Sequence, residues 1–277
     1  MVRIGIIGGG HGRAVHLPSL AALPGVKVVA VSDGGSGRMK TIDVPAAYFA
    51  SWQELIANAD IDAVTVAVPP ALHAPIVTAA LRRRLHVLCE KPFGRDLAEA
   101  DSMAKASAGR VAAVGYQFRY ETGLLALREI LAEGRIGRLR RIAITWITSG
   151  RADPLRKWGF QHDAEAGGGV AESFFSHCID YAWWLGLRPV RRVWARSDIL
   201  VARRPDHTGA AHAVTAEDSI DAVMECDGGL VVTATVTNCQ PGRNMHRIEI
   251  FGDDGWAELD QQIPAGPHRL TLRSPGM

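Results

Sequence analysis

Cysteine is scarce and scattered: the four in the chain, Cys89, Cys178, Cys226 and Cys239, form no CxxC pair. That excludes a zinc knuckle and the dense disulfide framework of small secreted domains, and it fits a reduced, cytoplasmic setting. Long apolar runs are missing too, none approaching the ~20 residues that a membrane span needs. The N-terminus enters a strand pattern almost at once, without a basic stretch, apolar core and cleavage site, so no secretory signal is expected. Charge of one sign is not in excess. The formal net charge is +2 with Lys and Arg dispersed, which argues against nucleic acid as a partner. No internal repeat or low-complexity tract occurs.

What remains is a soluble globular composition, 47% hydrophobic and 22% charged, in 277 residues. At roughly 150 residues per domain this allows about two domains. The apolar run Val2–Ile7 delivers the chain into Gly8-Gly9-Gly10-His11-Gly12-Arg13, and helical spacing follows over residues 14–23. Strand, glycine turn and helix together give a glycine motif its meaning: Gly8 permits a tight turn, Gly10 lets backbone approach a pyrophosphate, and the helix start offers free N–H groups. Arg13 stands where the third glycine of GxGxxG belongs, with Gly12 one residue early. Taken alone, the turn is equally readable as a plain tight turn.

The next strand pattern, Val26–Ser32, ends at Asp33, 25 residues after Gly8 (33 − 8). An acidic residue about 20 residues beyond the glycines bonds an adenosine ribose and repels a 2′-phosphate, so NAD is favoured. Arg38, in the Gly34-Gly35-Ser36-Gly37-Arg38 loop, keeps NADP open, although a solvated loop explains it equally well. Ser51 reads as the N-cap of a short helix. A β-branched strand over residues 63–68 stops at Pro69-Pro70, and His73 opens a helix over 74–84, where a histidine is more often a packing or capping residue. The strand His86–Cys89 ends on Glu90-Lys91-Pro92, a charged pair where open α/β sheets bind ligands. Asp96 begins a capping-box pattern with Glu99. Strands alternating with helices imply a parallel, doubly wound sheet.

The Glu90-Lys91-Pro92 tripeptide after a GxG turn and a proline-ended strand resembles the Gfo/Idh/MocA group of sugar and cyclitol dehydrogenases. His16, Pro69 with His73, and Gly115-Tyr116-Gln117-Phe118-Arg119 are similar to its pattern as well. The resemblance runs to about residue 260. It implies that Lys91 lies near the nicotinamide and the reacting carbon, and that a cis bond precedes Pro92.

After residue 140 the rhythm changes to period-two strands, over 220–226, 230–237, 247–251 and 256–259 among others, with Asp227-Gly228 and Asp254-Gly255 as hairpin signals. One amphipathic helix, 170–185, follows Gly167-Gly168-Gly169. The family pattern there has an Asp and, four residues on, a His that serve the substrate alcohol. Here His177 matches and Ser173 stands at the Asp position. Family members also continue past the last strand, whereas residues 261–277 read as a Pro/Gly-containing tail. An incomplete sheet is therefore an expectation, as is a homo-oligomer, dimer or tetramer.

The expected architecture is an α/β chain: a Rossmann doubly wound parallel sheet over 1–119, then an α+β domain with a mostly antiparallel sheet over 120–277. The candidate cofactor residues are Gly8, Gly10, His11, Gly12, Arg13, Asp33, Pro69, His73, Glu90 and Lys91. Arg119, Trp158, His162, Ser173 and His177 are the substrate candidates, and no metal site is expected. Lys91 is assigned as general acid/base and His177 as its partner or a substrate anchor, the reaction being NAD(P)-dependent hydride transfer at a secondary alcohol or ketone of a sugar or polyol. Two rivals stand beside this. One is a cofactor-bound protein with glycosidase- or elimination-type net chemistry, or a non-catalytic sensor. The other is a binding module without a nucleotide.

Overall fold

The computed structural model describes residues 1–261 and 268–275. The chain divides into two compact units, Met1–Gly115 and Tyr116–Met277.

The first unit has six strands, β1 Val2–Ile7, β2 Val26–Ser32, β3 Ala47–Phe49, β4 Ala63–Val66, β5 His86–Cys89 and β6 Ala112–Val114, and four α-helices, α1 Leu17–Ala21, α2 Trp52–Asn58, α3 His73–Arg82 and α4 Leu97–Ala106. All strands are parallel, in the order β3-β2-β1-β4-β5-β6. That is the doubly wound order, with its switch point between β1 and β4. The reason lies in composition: Val64 and Val66 are fully buried and β-branched, as strands covered on both faces require. Helix α3 buries Ile76, Val77, Ala80 and Leu81, one 3.6-period stripe against that sheet. The caps form as the residue types dictate. Ser51 accepts from Glu54 N, and Asp96 accepts from Glu99 N at 2.8 Å. Glu99, however, reaches back to Arg95 N rather than to the cap residue itself.

The second unit opens with α5 Thr122–Ala132 and lays down β7 Leu139–Ile147, α6 Ser176–Leu185, β8 Val190–Asp198, β9 Arg203–Pro205, β10 Ala211–Ala213, β11 Ser219–Cys226, β12 Val231–Thr237, β13 Met245–Gly252, β14 Trp256–Gln261 and β15 His268–Arg273. Seven of these strands form one sheet ordered β15-β14-β13-β7-β12-β11-β8. It is antiparallel except where β12 runs beside β7, and β9 pairs with β10 separately. Ile142, Ile144 and Trp146 alternate inward along β7 and meet Leu124, Leu127 and Ile130 of α5 and Cys178, Tyr181 and Leu185 of α6. Of the expected irregular tail, residues 262–267 and 276–277 lie outside the described residues, while His268–Arg273 extends the sheet by pairing with β14. The expected helix 170–185 begins with a π-helical turn, Ala171–Phe175, before α6. No helix among the described residues is long and apolar enough to cross a membrane.

Candidate active site

The first unit gathers its candidate residues at the carboxyl ends of four neighbouring strands, β1, β2, β4 and β5. Gly8 follows β1 with φ +134°, so close to the Ala67 carbonyl that a Cβ has no room. A Cβ at Gly10 would meet nothing within 4 Å, which leaves that side of the turn open. Gly12 is buried, and a Cβ there would lie 3.1 Å from Ile6. Gly12 thus provides, one residue early, the close packing that the third glycine of GxGxxG would supply. A π-helical turn, Gly12–His16, follows and leads into α1. A strand exit with no room for a side chain, an open flank and a helix start fit a pyrophosphate. Arg13 and His11 stand exposed on the same turn, and Arg13 donates to the Thr41 carbonyl at 3.3 Å.

Asp33 ends β2 with its carboxylate held by three donors: Gly35 N at 3.1 Å, Met39 N at 2.7 Å and Tyr48 Oη at 2.9 Å. Burial works to raise its pKa, but the bonds from Met39 and Tyr48 outweigh it and keep the group ionised below the usual carboxylate range. A Cβ at Gly9 would lie 2.8 Å from Asp33 Cβ, so Gly9 lets the glycine turn close on this residue.

After β4, Pro69 starts a short 3₁₀ turn that runs into α3. His73 is fully buried, with Nδ1 2.8 Å from the Pro92 carbonyl and Nε2 3.0 Å from the Val68 carbonyl. Burial pushes its pKa down against the pull of both carbonyls. With no exposed surface, His73 braces the backbone at Pro92. The Lys91–Pro92 bond is cis, as the resemblance implied, and Lys91 itself is half-buried.

Glu90 is the residue whose surroundings were least legible. Its backbone N donates to Val66 O at 2.8 Å, and its carboxylate lies 2.9 Å from His16 Nε2 and 3.5 Å from His11 Nε2. Burial works to raise its pKa, but the His16 bond and the positive fields of His11, His16 and Lys91 prevail and hold it low. A Cβ at Gly115 would stand 2.9 Å from a Glu90 carboxylate oxygen, which explains the glycine there. The signal was present in the sequence as His16 and Gly115, both noted in the family pattern but without a partner.

In the second unit Gly168 and Gly169 are enclosed by protein. A Cβ at Gly168 would strike the Phe160 and Asp163 carbonyls, and Gly169, at φ +108°, lies under the Glu217 carboxylate. That carboxylate accepts from Ala171 N at 2.8 Å, capping the turn that leads to α6. Sequence reasoning missed Glu217 because it comes from a loop 46 residues away. Ser173 donates its hydroxyl to the Gly169 carbonyl at 2.5 Å, so it secures the turn. His177 is buried, its ring edge-on to Phe118 at 4.5 Å and Tyr116 at 5.5 Å and tilted against Trp146 at 6.1 Å.

Arg119 pairs bidentately with Asp180 of α6, through Nε at 2.8 Å and through Nη2. Its guanidinium also lies over the Trp184 ring. Trp158 and His162 belong to another cluster. Trp158 donates from its backbone to Pro205 O and from Nε1 to Ala213 O. His162 is buried, accepts from Gly159 N at 3.1 Å, and is pushed down to about 4 by burial and by Arg204, Arg151 and Arg156.

Comparison with known proteins agrees over nearly the whole chain. Residues 2–118 match the model for an oxidoreductase family with an NAD-binding Rossmann fold, and residues 124–258 match the GFO/IDH/MocA C-terminal domain. An uncharacterised oxidoreductase of Synechocystis is 29% identical over 260 residues, 91% of this chain and 70% of that protein. Inositol 2-dehydrogenase of Salmonella typhimurium is 28% identical over 99% of this chain and 78% of its own. Among solved structures, levoglucosan dehydrogenase in complex with NADH and L-sorbose superposes with a TM-score of 0.86 at 24% identity, over 99% of this chain and 81% of that one.

Proposed function

The chain belongs to the Gfo/Idh/MocA family of NAD-binding oxidoreductases, and from that premise we propose that it interconverts a secondary alcohol and a ketone on a sugar, cyclitol or related polyol. The observation that carries this reading is the row of Gly8, Asp33, Pro69 and Lys91 at the carboxyl ends of neighbouring parallel strands, the place where such sheets bind dinucleotides. The relatives act on substrates of this class by name, inositol and levoglucosan.

When bound, the dinucleotide accepts or supplies the hydride at its nicotinamide. Gly8, Gly10 and Gly12 hold its pyrophosphate side and Asp33 its adenosine ribose, where an ionised carboxylate disfavours the 2′-phosphate of NADP. Lys91 takes the proton of the substrate hydroxyl when the alcohol is oxidised and returns it when the ketone is reduced. His177 is the residue assigned to orient that hydroxyl. Ser173 brings a hydroxyl in place of the family's carboxylate and so supplies no base near neutral pH, which leaves the proton chemistry to Lys91. Arg119 acts through Asp180, fixing α6 below His177.

The experiment is incubation of the protein with NAD⁺ and a panel of polyols that includes inositol and levoglucosan. NADH absorbance growing with one of them supports the dehydrogenase reading. Product formed without net NADH supports the elimination or glycosidase rival. Protein that binds no NAD(H) by calorimetry refutes both.

A cytoplasmic homo-oligomer is the proposed setting. Its support is the four free, buried cysteines and β8, exposed along almost its full length with Val193 and Trp194 uncovered. Light scattering at the mass of one chain would refute the oligomer.

A further inference from the structure

Three potential metal-ligand atoms converge at the glycine turn, and the hydride chemistry gives them no joint task. One ring nitrogen each of His11 and His16 and one carboxylate oxygen of Glu90 all lie within 4.8 Å of one another. His16 Nε2 is 2.9 Å, and His11 Nε2 3.5 Å, from the same Glu90 oxygen. The His16 contact is a hydrogen bond. The His11 contact is too long to count as one, and the two imidazoles meet edge-on with ring centroids 5.4 Å apart. Hydrogen bonding accounts for one edge of the triangle, and the second imidazole stands beside the same carboxylate oxygen as a looser ion pair.

The dimensions and chemistry suit a particular class of ion. Ligand atoms at 2.0–2.2 Å from a tetrahedral zinc stand about 3.3–3.6 Å apart. The two measured edges reach that range with shifts of a few tenths of an ångström. Two imidazole nitrogens and one carboxylate oxygen form a set for zinc or another late first-row divalent ion, not for calcium or magnesium, which take oxygen. Two of the three ligands are already fixed. Glu90 is nearly buried, tied by its backbone to Val66, and its carboxylate has clearance only because residue 115 is glycine. His16 is buried at the end of the π-helical turn. His11 is 48% exposed in its side chain, so an ion can arrive from solvent and keep water as a fourth ligand.

We propose that the chain binds one zinc-type divalent ion through His11, His16 and Glu90, and that this ion and the dinucleotide exclude one another. Exclusion follows from the position of His11 between Gly10 and Gly12: coordination draws the turn towards Glu90 and places the ion on the flank assigned to the pyrophosphate. This second clause rests on the dehydrogenase reading; metal binding itself does not.

The test is calorimetric titration of ZnCl₂ into chelator-treated, nucleotide-free protein, with Co²⁺ as a second probe whose visible absorption reports low coordination number. One-site binding is expected, weakened ~10-fold or more in His11→Ala and in Glu90→Gln. The control His207→Ala, on the exposed turn between β9 and β10, should bind as the parent does. His11 is exposed, so His11→Ala is expected to fold, and circular dichroism checks it. No saturable Zn²⁺ binding, or parental affinity in His11→Ala, overturns the site. NADH binding, followed by fluorescence, should weaken in Zn²⁺ and recover on chelation; unchanged NADH affinity at saturating Zn²⁺ overturns the exclusion. Because the titration uses no nucleotide or substrate, failure of the metal site and failure of the dehydrogenase reading are told apart.

Discussion

Gly8, Gly10 and Gly12 in the first unit, and Gly167, Gly168 and Gly169 in the second, both lead into a π-helical turn that carries candidate functional side chains. Their surroundings differ. In the first run Gly8, Gly9 and Gly12 touch protein, at Ala67, Asp33 and Ile6, while Gly10 faces open space. In the second, Gly168 is pressed on by loop carbonyls and Gly169 by the Glu217 carboxylate. An open glycine turn presents backbone to a ligand; a filled one lets the chain pack on itself. The two runs read alike in sequence because each is glycine ahead of a helix, and only the neighbours distinguish them.

The sharpest break of this comparison is a methyl group at each kind of position. Gly8→Ala forces a Cβ onto the Ala67 carbonyl at a positive φ and is expected to cost about 2–4 kcal/mol, with loss of NADH binding. Gly10→Ala should leave stability within about 0.5 kcal/mol of the parent and still weaken NADH, since the methyl group occupies the ligand side. Denaturant titration and NADH fluorescence on both variants decide it. Equal stability losses would mean that the first turn is filled as the second is.

His177→Ala is expected to lower kcat by about 10²-fold while NADH affinity is retained, because the proposed function assigns the imidazole to the substrate hydroxyl. Steady-state kinetics beside NADH titration measure this. A loss confined to NADH affinity would assign His177 to the wrong half.

Buried histidines should also make stability fall in acid. His246 stacks on Trp146 at 4.2 Å and is pushed down to about 3 by burial, from an ordinary 6.5. The native imidazole stays neutral where the unfolded one takes a proton. Its contribution to stability is therefore complete above about 6.5 and declines as pH falls towards about 3. His162, pushed down to about 4, adds in the same direction. Urea unfolding over that window should lose stability with acid, and His246→Phe should flatten the slope. An unchanged slope removes His246 from the account.

The smallest effect concerns Ser173. Loss of its bond to Gly169 O in Ser173→Ala should cost about 1 kcal/mol with turnover unchanged, by thermal melting and kinetics in parallel. A fall in turnover at constant stability would make Ser173 a chemical participant.

Much of the first unit could be read in advance because its signals are local. β1, β2 and β5 are short β-branched or apolar runs closed by Gly8, Asp33 and Glu90, and Ser51 and Asp96 cap as their side chains allow. β8 went unread because its Val-Arg-Arg-Val-Trp pattern is exposed on both faces and has no period to detect; its pairing with β11 is what makes it a strand. β15 was hidden in a Pro/Gly-containing segment and exists through β14. The site shows the same division. Lys91 and Asp33 were visible at strand ends, whereas the Glu90–His16 contact joins residues 74 apart, and the fixing of Arg119 by Asp180 joins residues 61 apart. Such pairings follow from the tertiary fold and leave no spacing to recognise.

The central claim is that the first unit, at the end of β5, carries the proton chemistry. The direct measurement is NADH formation by Lys91→Ala on a substrate the parent enzyme oxidises, at saturating NAD⁺, with NADH affinity measured on the same preparation. The expected result is a kcat lower by about 10²–10⁴-fold with NADH affinity little changed. An unchanged kcat would contradict the account.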